Sequence, residues 1–324
     1  MPLIFSFHID YLEVNAMRIL VVGAGATGGY FGGRLALAGR DVTFLVRSKR
    51  AAVLRAEGMQ IITPAGKLTL QPQVAEAGTL DQPFDLVIIA VKAYALASAL
   101  TDVAPAVREN TLILPLLNGM KHLQAISARF GDAALIGGLC KIVSSLDSEG
   151  QIVQMTDLDE FTYGELDGTV TERITRLDHC LQNAGFTARL SSDIKSEMWE
   201  KWLLLASLGA ITCLMRGNIG QVAAAPGGAQ FARSMVDEIT ALLVSAGYRR
   251  RQDYVDQIIG LLTQTGSTQT SSMYRDLTQG YEIEADHIVG DLLAIGQRAG
   301  IASPLLSAAY THLSVYRAAR NIAR

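Results

Sequence analysis

Arg18-Ile-Leu-Val-Val-Gly-Ala-Gly-Ala-Thr-Gly28 is the stretch that decides the fold. Its first five residues, Arg18 to Val22, are β-branched-rich and apolar, as a buried strand requires. Gly23, Ala24, Gly25, Ala26, Thr27 and Gly28 then spell G-x-G-x-x-G. That spacing alone is weak, because glycines are common in any turn. Here it follows a strand directly and opens a helical pattern running from Tyr30 to Ala38, with Gly39 in the stop position. In that context Gly23 permits the tight turn, Gly25 lets a pyrophosphate approach the backbone, and Gly28 lets the helix pack close to the strand. The helix N-terminus presents N–H groups and a positive dipole end to the phosphates. The plainer alternative is a structural turn with no ligand.

Working outward, Val42-Thr-Phe-Leu-Val46 reads as a second strand, Leu86–Val91 after Asp85 as another, and Thr111–Leu114 as the next. Strands of near-continuous apolar character, alternating with helices, predict a doubly wound, mostly parallel sheet buried on both faces. Two runs between Gly137 and Met155 read as a hairpin around Asp147-Ser-Glu-Gly150, and short strands near Phe161–Gly164 and Phe186–Leu190 are expected to complete a mixed edge of the same sheet. From Ser192 onward the pattern is helical. Ser192 and Asp193 are candidate N-caps for a helix carrying Trp199, Lys201 and Trp202, and further helices are expected at 229–246, 252–264, 284–299 and 304–320. The expected organisation is an extension over 1–16, a Rossmann-type domain over 17–191 and an all-helical domain over 192–324.

The chain has 324 residues, enough for two cores. It is 49% hydrophobic and 18% charged, which fits a globular protein and excludes a disordered one. A net charge of −3 gives no reason to expect nucleic acid or an anionic membrane as a partner. Trp202–Met215, the most apolar stretch, spans about 14 residues and reads as a core helix. Met1–Ala16 has no lysine or arginine, so it is not read as a signal peptide. Cys140, Cys180 and Cys213 are far apart and odd in number, which points to reduced thiols in a cytoplasmic setting and not to a disulfide framework. His122, His179, His287 and His312 lack metal-ligand spacing, so no metal is expected, and Arg249-Arg250-Arg251 reads as a solvated loop.

The end of the second strand bears on the cofactor. NAD-specific sites place an acid there for the ribose hydroxyls, whereas this chain has Arg47, then Ser48, Lys49 and Arg50. A guanidinium suits a 2′-phosphate, so the expected cofactor is NADPH. Lys92 and Asn118 each follow an apolar strand, where ligands of open α/β sheets bind. Hydride reduction of a carbonyl creates an alkoxide, so the site needs a proton donor and a positive field, and a lysine from the helical domain supplies both. Taken alone, however, a helical lysine such as Lys201 is more often a solvated surface charge.

With these pieces in order, the chain resembles the ketopantoate reductase (2-dehydropantoate 2-reductase) family. The resemblance runs from Met17 to the C-terminus through Gly23–Gly28, Arg47, Val91-Lys92, Asn118-Gly119-Met120, Glu197-Met-Trp-Glu-Lys201, Ser271-Ser272-Met273 with Asp276, and Glu284. It implies NADPH-dependent reduction of a branched 2-oxo acid in pantothenate biosynthesis. It makes Lys201 the general acid and Glu284 a carboxylate near the catalytic centre and the nicotinamide ribose, preferred over Glu282 for its spacing from Gly280. It assigns Lys92 and Asn118 to the cofactor, and Asn118, Lys201 and Ser272 to the substrate side. The strand around Ile142 and Val143 corresponds to a backbone contact with the cofactor.

The departures carry information too. The family places asparagines one and two turns beyond the lysine and a third after that helix. Here those positions are Leu205, Gly209 and Ile219, with Asn218 beside the last. Losing amides that hold a substrate's polar groups changes which substrate is preferred. Ketopantoate remains the leading substrate, and a related NADP-dependent hydroxy acid dehydrogenase with a more apolar substrate is the alternative. A non-catalytic NADP-binding sensor is the third reading. The oligomeric state is left open between monomer and homodimer.

Overall fold

A computed structural model describes residues 17–322, and Met1–Ala16, read above as an extension, lies outside them. The chain divides into two compact units. The first comprises residues up to Leu117 and His122–Lys195, the second Asn118–Lys121 and everything from Ser196. The division therefore falls within the first turns of a helix, and a four-residue segment, Asn118–Lys121, leaves the first unit to join the second.

In chain order the first unit runs β1 (Arg18–Val22), α1 (Ala26–Leu37), β2 (Asp41–Leu45), α2 (Ser48–Glu57), β3 (Met59–Thr63), β4 (Gly66–Leu70), β5 (Gln73–Ala75), β6 (Leu86–Ile89), α3 (Leu96–Val103), β7 (Leu112–Pro115), α4 (Lys121–Phe130, its first residue in the second unit), β8 (Gly137–Leu146), β9 (Ile152–Gly164), α5 (Glu172–Leu181) and β10 (Thr187–Leu190). A five-stranded sheet has the order β5-β2-β1-β6-β7, with every pairing parallel. Strand order reverses between β1 and β6, which makes that edge the topological switch point where ligands of such sheets bind. Along β1, Ile19 and Val21 enter a core shared with α1, while Leu20 and Val22 enter a second core shared with α3. Burial on both faces is why this strand reads as an unbroken apolar run.

β8, β9 and β10 do not complete an edge of that sheet, as the sequence had suggested. They form a second one, ordered β10-β9-β3-β4 with β8 paired to β9. The reason lies in β3, which the apolar pattern did not reveal. It pairs with β9 through Ile61↔Ile152 and so recruits the later hairpin away from the parallel sheet. The turn at Asp147–Gly150 does join β8 to β9 as a hairpin. α1 packs against both sheets, because a Cβ at Gly32 would meet the Phe44 ring at 2.7 Å and one at Gly33 would meet Ile61 at 2.7 Å.

The second unit is helical: α6 (Ile194–Met215, its first two residues still in the first unit), α7 (Ile219–Ala224), α8 (Gly228–Ser245), α9 (Gln252–Leu262), α10 (Ser272–Thr278), a π-helical turn at Asp286–Gly290, α11 (Asp291–Ala299) and α12 (Pro304–Ile322). α6 is the one helix among the described residues long and apolar enough to cross a membrane, but 67% of its apolar window is buried inside the protein. Trp202, Leu203, Ala206 and Ile211 on this helix join Val236, Ile239 and Leu243 of α8 in one core. Full burial of such side chains contributes about 1.5–3 kcal/mol each.

Candidate active site

In the first unit the sequence-predicted cofactor residues come together on one sheet edge. Val22 sits beside Leu45 in β2 and beside Ile89 in β6, so the segments leaving β1, β2 and β6 emerge side by side. They carry Gly23–Gly28, Arg47 and Lys92 respectively. Gly23 has φ +95°, a conformation open to glycine, and its N–H donates to Leu45 O at 3.0 Å. A Cβ on Gly28 would lie 2.1 Å from Gly23 O and 2.8 Å from Ala90 Cβ, so this glycine lets α1 sit against the sheet. A Cβ on Gly25 would meet nothing within 4 Å. That open space beside the backbone is the cradle a pyrophosphate needs. Ala26 and Thr27 begin α1, whose first turn has no side-chain cap and no acid to compete with an anion. Arg47 is exposed and precedes α2, and Lys92 is exposed just beyond β6. These residues fit a dinucleotide carrying an extra phosphate.

Sequence reading did not single out Arg50 among the basic residues after β2. Its Nε donates to Ala24 O at 3.3 Å and its Nη1 to Gly150 O at 2.9 Å. It thereby ties the glycine loop to the β8–β9 turn, and burial pulls its pKa below the usual value. Nothing in the spacing marks this arginine, because both of its acceptors are backbone carbonyls remote in sequence.

In the second unit a different group gathers. The Trp202 indole donates to Ile288 O at 3.0 Å, and a Cβ on Gly119 would lie 3.0 Å from His287 O and 3.8 Å from the Trp202 ring. The π-helical turn is thus the frame on which the Trp202 segment of α6 and Asn118-Gly119 are fixed. Lys201, half-buried, precedes Trp202, and Glu284 accepts at its backbone oxygen from Ile288 N at 3.1 Å. Glu284 is 7% exposed, whereas Glu282 is exposed near Arg320. Trp199 stacks on Trp202 with ring centroids 5.7 Å apart. Beside Lys201, the buried Glu200 takes both oxygens to Arg251, at 2.6 Å and 2.9 Å. Arg251 is therefore a partner of a buried acid, not simply part of a solvated loop. Burial pushes the Glu200 carboxyl up, and the Arg251 bonds and charge pull against it without cancelling it.

The serines of α10 divide their tasks. Ser271 is buried, accepts from Tyr274 N at 2.9 Å as a helix cap, and lies 3.0 Å from Thr212 Oγ1. Ser272 is exposed, so it is the hydroxyl open to a ligand. Of the three departures from the family pattern, Leu205 is half-buried, Gly209 is buried and Ile219 is fully buried. Asn218, beside the last of them, is the N-cap of α7. Its side chain accepts from Gln221 N at 2.8 Å within a capping box that starts α7. Ile142 lies in β8 at a register shift against β9. Among the described residues no group of three or more His, Cys, Asp or Glu side chains could hold a metal ion.

Comparison with known proteins accounts for both units. Residues 19–168 match the family profile "Ketopantoate reductase PanE/ApbA", and residues 193–317 match "Ketopantoate reductase PanE/ApbA C terminal". The uncharacterized oxidoreductase YkpB of Bacillus subtilis (strain 168) is 37% identical over 302 residues, 93% of this chain and 99% of its own length. The crystal structure of 2-dehydropantoate 2-reductase from Geobacter metallireducens GS-15 superposes with a TM-score of 0.82 at 28% identity, covering 92% of this chain and 99% of its own. A D-mandelate dehydrogenase solved with NADH and anilino(oxo)acetate gives a TM-score of 0.84 at 20% identity over 94% of this chain and 100% of its own, a likeness of fold alone. The glycine loop, the parallel sheet, the helical second unit and these matches agree, and the chain belongs to the ketopantoate reductase family of NADPH-dependent oxidoreductases.

Proposed function

We propose that the protein reduces a 2-oxo acid to the 2-hydroxy acid, with 2-dehydropantoate, giving pantoate for pantothenate biosynthesis, as the substrate the family match supports. The observation that carries this reading is the frame around Trp202, which gathers Asn118-Gly119, the Lys201 segment and the turn after Glu284 from three distant parts of the chain. NADPH, when bound, supplies the hydride. Gly23–Gly28 hold the pyrophosphate, Arg47 the 2′-phosphate, and Lys92, Asn118 and Glu284 the nicotinamide end. The Lys201 ammonium donates its proton to the carbonyl oxygen of the substrate and stabilises the charge that develops there. Ser272 binds the substrate carboxylate region. Three buried cysteines, none in a disulfide, fit a reducing cytoplasm.

A second reading is favoured by Leu205, Gly209 and Ile219: a related 2-oxo acid with more hydrocarbon. The same fold serves a D-mandelate dehydrogenase whose bound ligand is an oxoacetate bearing an aromatic group. Both readings are tested by following NADPH consumption with a panel of 2-oxo acids, in parallel with NADH and with Arg47→Ala. Reduction of a 2-oxo acid, with a preference for NADPH that falls roughly tenfold or more in the variant, is the expected result. Tight NADPH binding without turnover on any oxo acid would instead favour a sensor.

A further inference from the structure

Arg50 is a half-buried cation whose two acceptors, Ala24 O at 3.3 Å and Gly150 O at 2.9 Å, are neutral carbonyls. Among the described residues no carboxylate pairs with it, and burial alone accounts for its lowered pKa. Burying a charge without a counter-charge is costly, so such a guanidinium favours the arrival of an anion. The segment it holds is the glycine loop. Ala24 O and Gly25 N–H lie on opposite edges of one trans peptide plane, so a hold on the carbonyl also sets the direction of the N–H. Gly25 N–H meets no backbone acceptor among the described residues, and a Cβ on this glycine would meet nothing within 4 Å. At the other end of the tie Gly150 has φ +77°, and a Cβ there would stand 2.8 Å from Arg50 Nη1. Two residues on, the fully buried Ile152 packs on α1, where a Cβ on Gly29 would collide with it. The β8–β9 turn is therefore a fixed post, and Arg50 ties the glycine loop to it.

We infer that Arg50 is a positioning residue for the dinucleotide: it fixes the Ala24–Gly25 peptide against the β8–β9 turn and lends its positive charge to the pyrophosphate. Both effects act on a group that NADPH and NADH share. Arg47 differs, because it is exposed ahead of α2 and is assigned to the 2′-phosphate that NADPH alone carries. The run Arg47-Ser48-Lys49-Arg50 thus divides between selecting the cofactor and holding it. The inference rests on the glycine loop binding a dinucleotide and is independent of which 2-oxo acid is reduced.

The test measures dissociation constants of NADPH and NADH by nucleotide fluorescence, without substrate, for wild type, Arg47→Ala, Arg50→Met and Arg50→Lys. Arg50→Met should weaken both nucleotides by the same factor, about tenfold or more, because hydrogen bonds from a charged group are lost. Arg47→Ala should weaken NADPH by a similar factor and leave NADH within about twofold. Arg50→Lys keeps the charge but not the fork that reaches two carbonyls, so its loss should be equal for both nucleotides and smaller than that of Arg50→Met. If Arg50→Met fails to fold, Arg50→Lys decides alone: equal weakening of both nucleotides supports the inference, and no weakening overturns it. A lower melting temperature of the free protein with both constants unchanged would mark a merely structural residue and overturn it as well. A loss confined to NADPH would do the same, making Arg50 a second 2′-phosphate ligand and leaving the reductase reading intact. Failure of the wild type to bind either nucleotide overturns the dinucleotide reading itself.

Discussion

Trp202 donates its indole N–H to the carbonyl of Ile288 at 3.0 Å, and this buried bond fixes the Lys201 segment of α6 to the turn that follows Glu284. Trp202→Phe keeps an aromatic ring there and removes the donor. A buried carbonyl left without its partner costs about 1–3 kcal/mol. The expected outcome is an unfolding free energy lower by that amount in urea denaturation, together with a fall in kcat that leaves NADPH affinity nearly unchanged. An unchanged midpoint would show that the bond does not support the frame.

Gly25 and Gly28 separate binding from folding within one loop. A Cβ at 25 enters open space, whereas one at 28 meets Gly23 O at 2.1 Å. Gly25→Ala should therefore fold with a stability within about 1 kcal/mol of wild type and bind NADPH at least about tenfold more weakly. Gly28→Ala should lower the melting temperature itself. Equal effects of the two on melting, in the absence of cofactor, would contradict these separate roles.

Asp286 anchors the start of the same π-helical turn to α12, accepting from Tyr310 Oη at 2.6 Å and from Arg317 Nη1. Burial acts to raise its carboxyl, but the bonds from Tyr310 and Arg317, with the charges of Arg317 and His287, outweigh it and hold the group below the usual carboxylate value. A depressed folded-state pKa gives stability that is present above the unfolded value, about 3.9, and is lost as pH falls through the folded value. Urea denaturation of wild type and Asp286→Asn should thus show a stability gap near neutral pH that closes below about pH 4. A gap that widens toward acid would reverse the sign assigned here.

The parts of this fold legible in the sequence are those whose demands are local. β1 had to be apolar on both faces, and Gly23 and Gly28 had to be glycine because of a backbone angle and a close approach within the same short segment. β3 and β4 escaped notice because Gln60, Thr63, Lys67 and Thr69 break up their apolar pattern and β4 is largely exposed. The existence of a second sheet rests on Ile61 meeting Ile152, a pairing no local window contains. The same limit applies to the site. Arg50 and Trp202 are ordinary residues until Ala24 and Ile288 are placed beside them. The choice of Ser272 over Ser271 gains support only when one is seen exposed and the other capped and buried.

The central claim, that Lys201 protonates the oxygen of a 2-oxo acid reduced by NADPH, is tested most directly by Lys201→Ala. The measurement is steady-state turnover of the best 2-oxo acid beside NADPH binding followed by nucleotide fluorescence. The account requires kcat to fall by roughly 100-fold or more while NADPH affinity stays within about twofold, because a proton donor contributes on that scale and the glycine loop is untouched. Turnover retained within a fewfold of wild type, with binding unchanged, would contradict it.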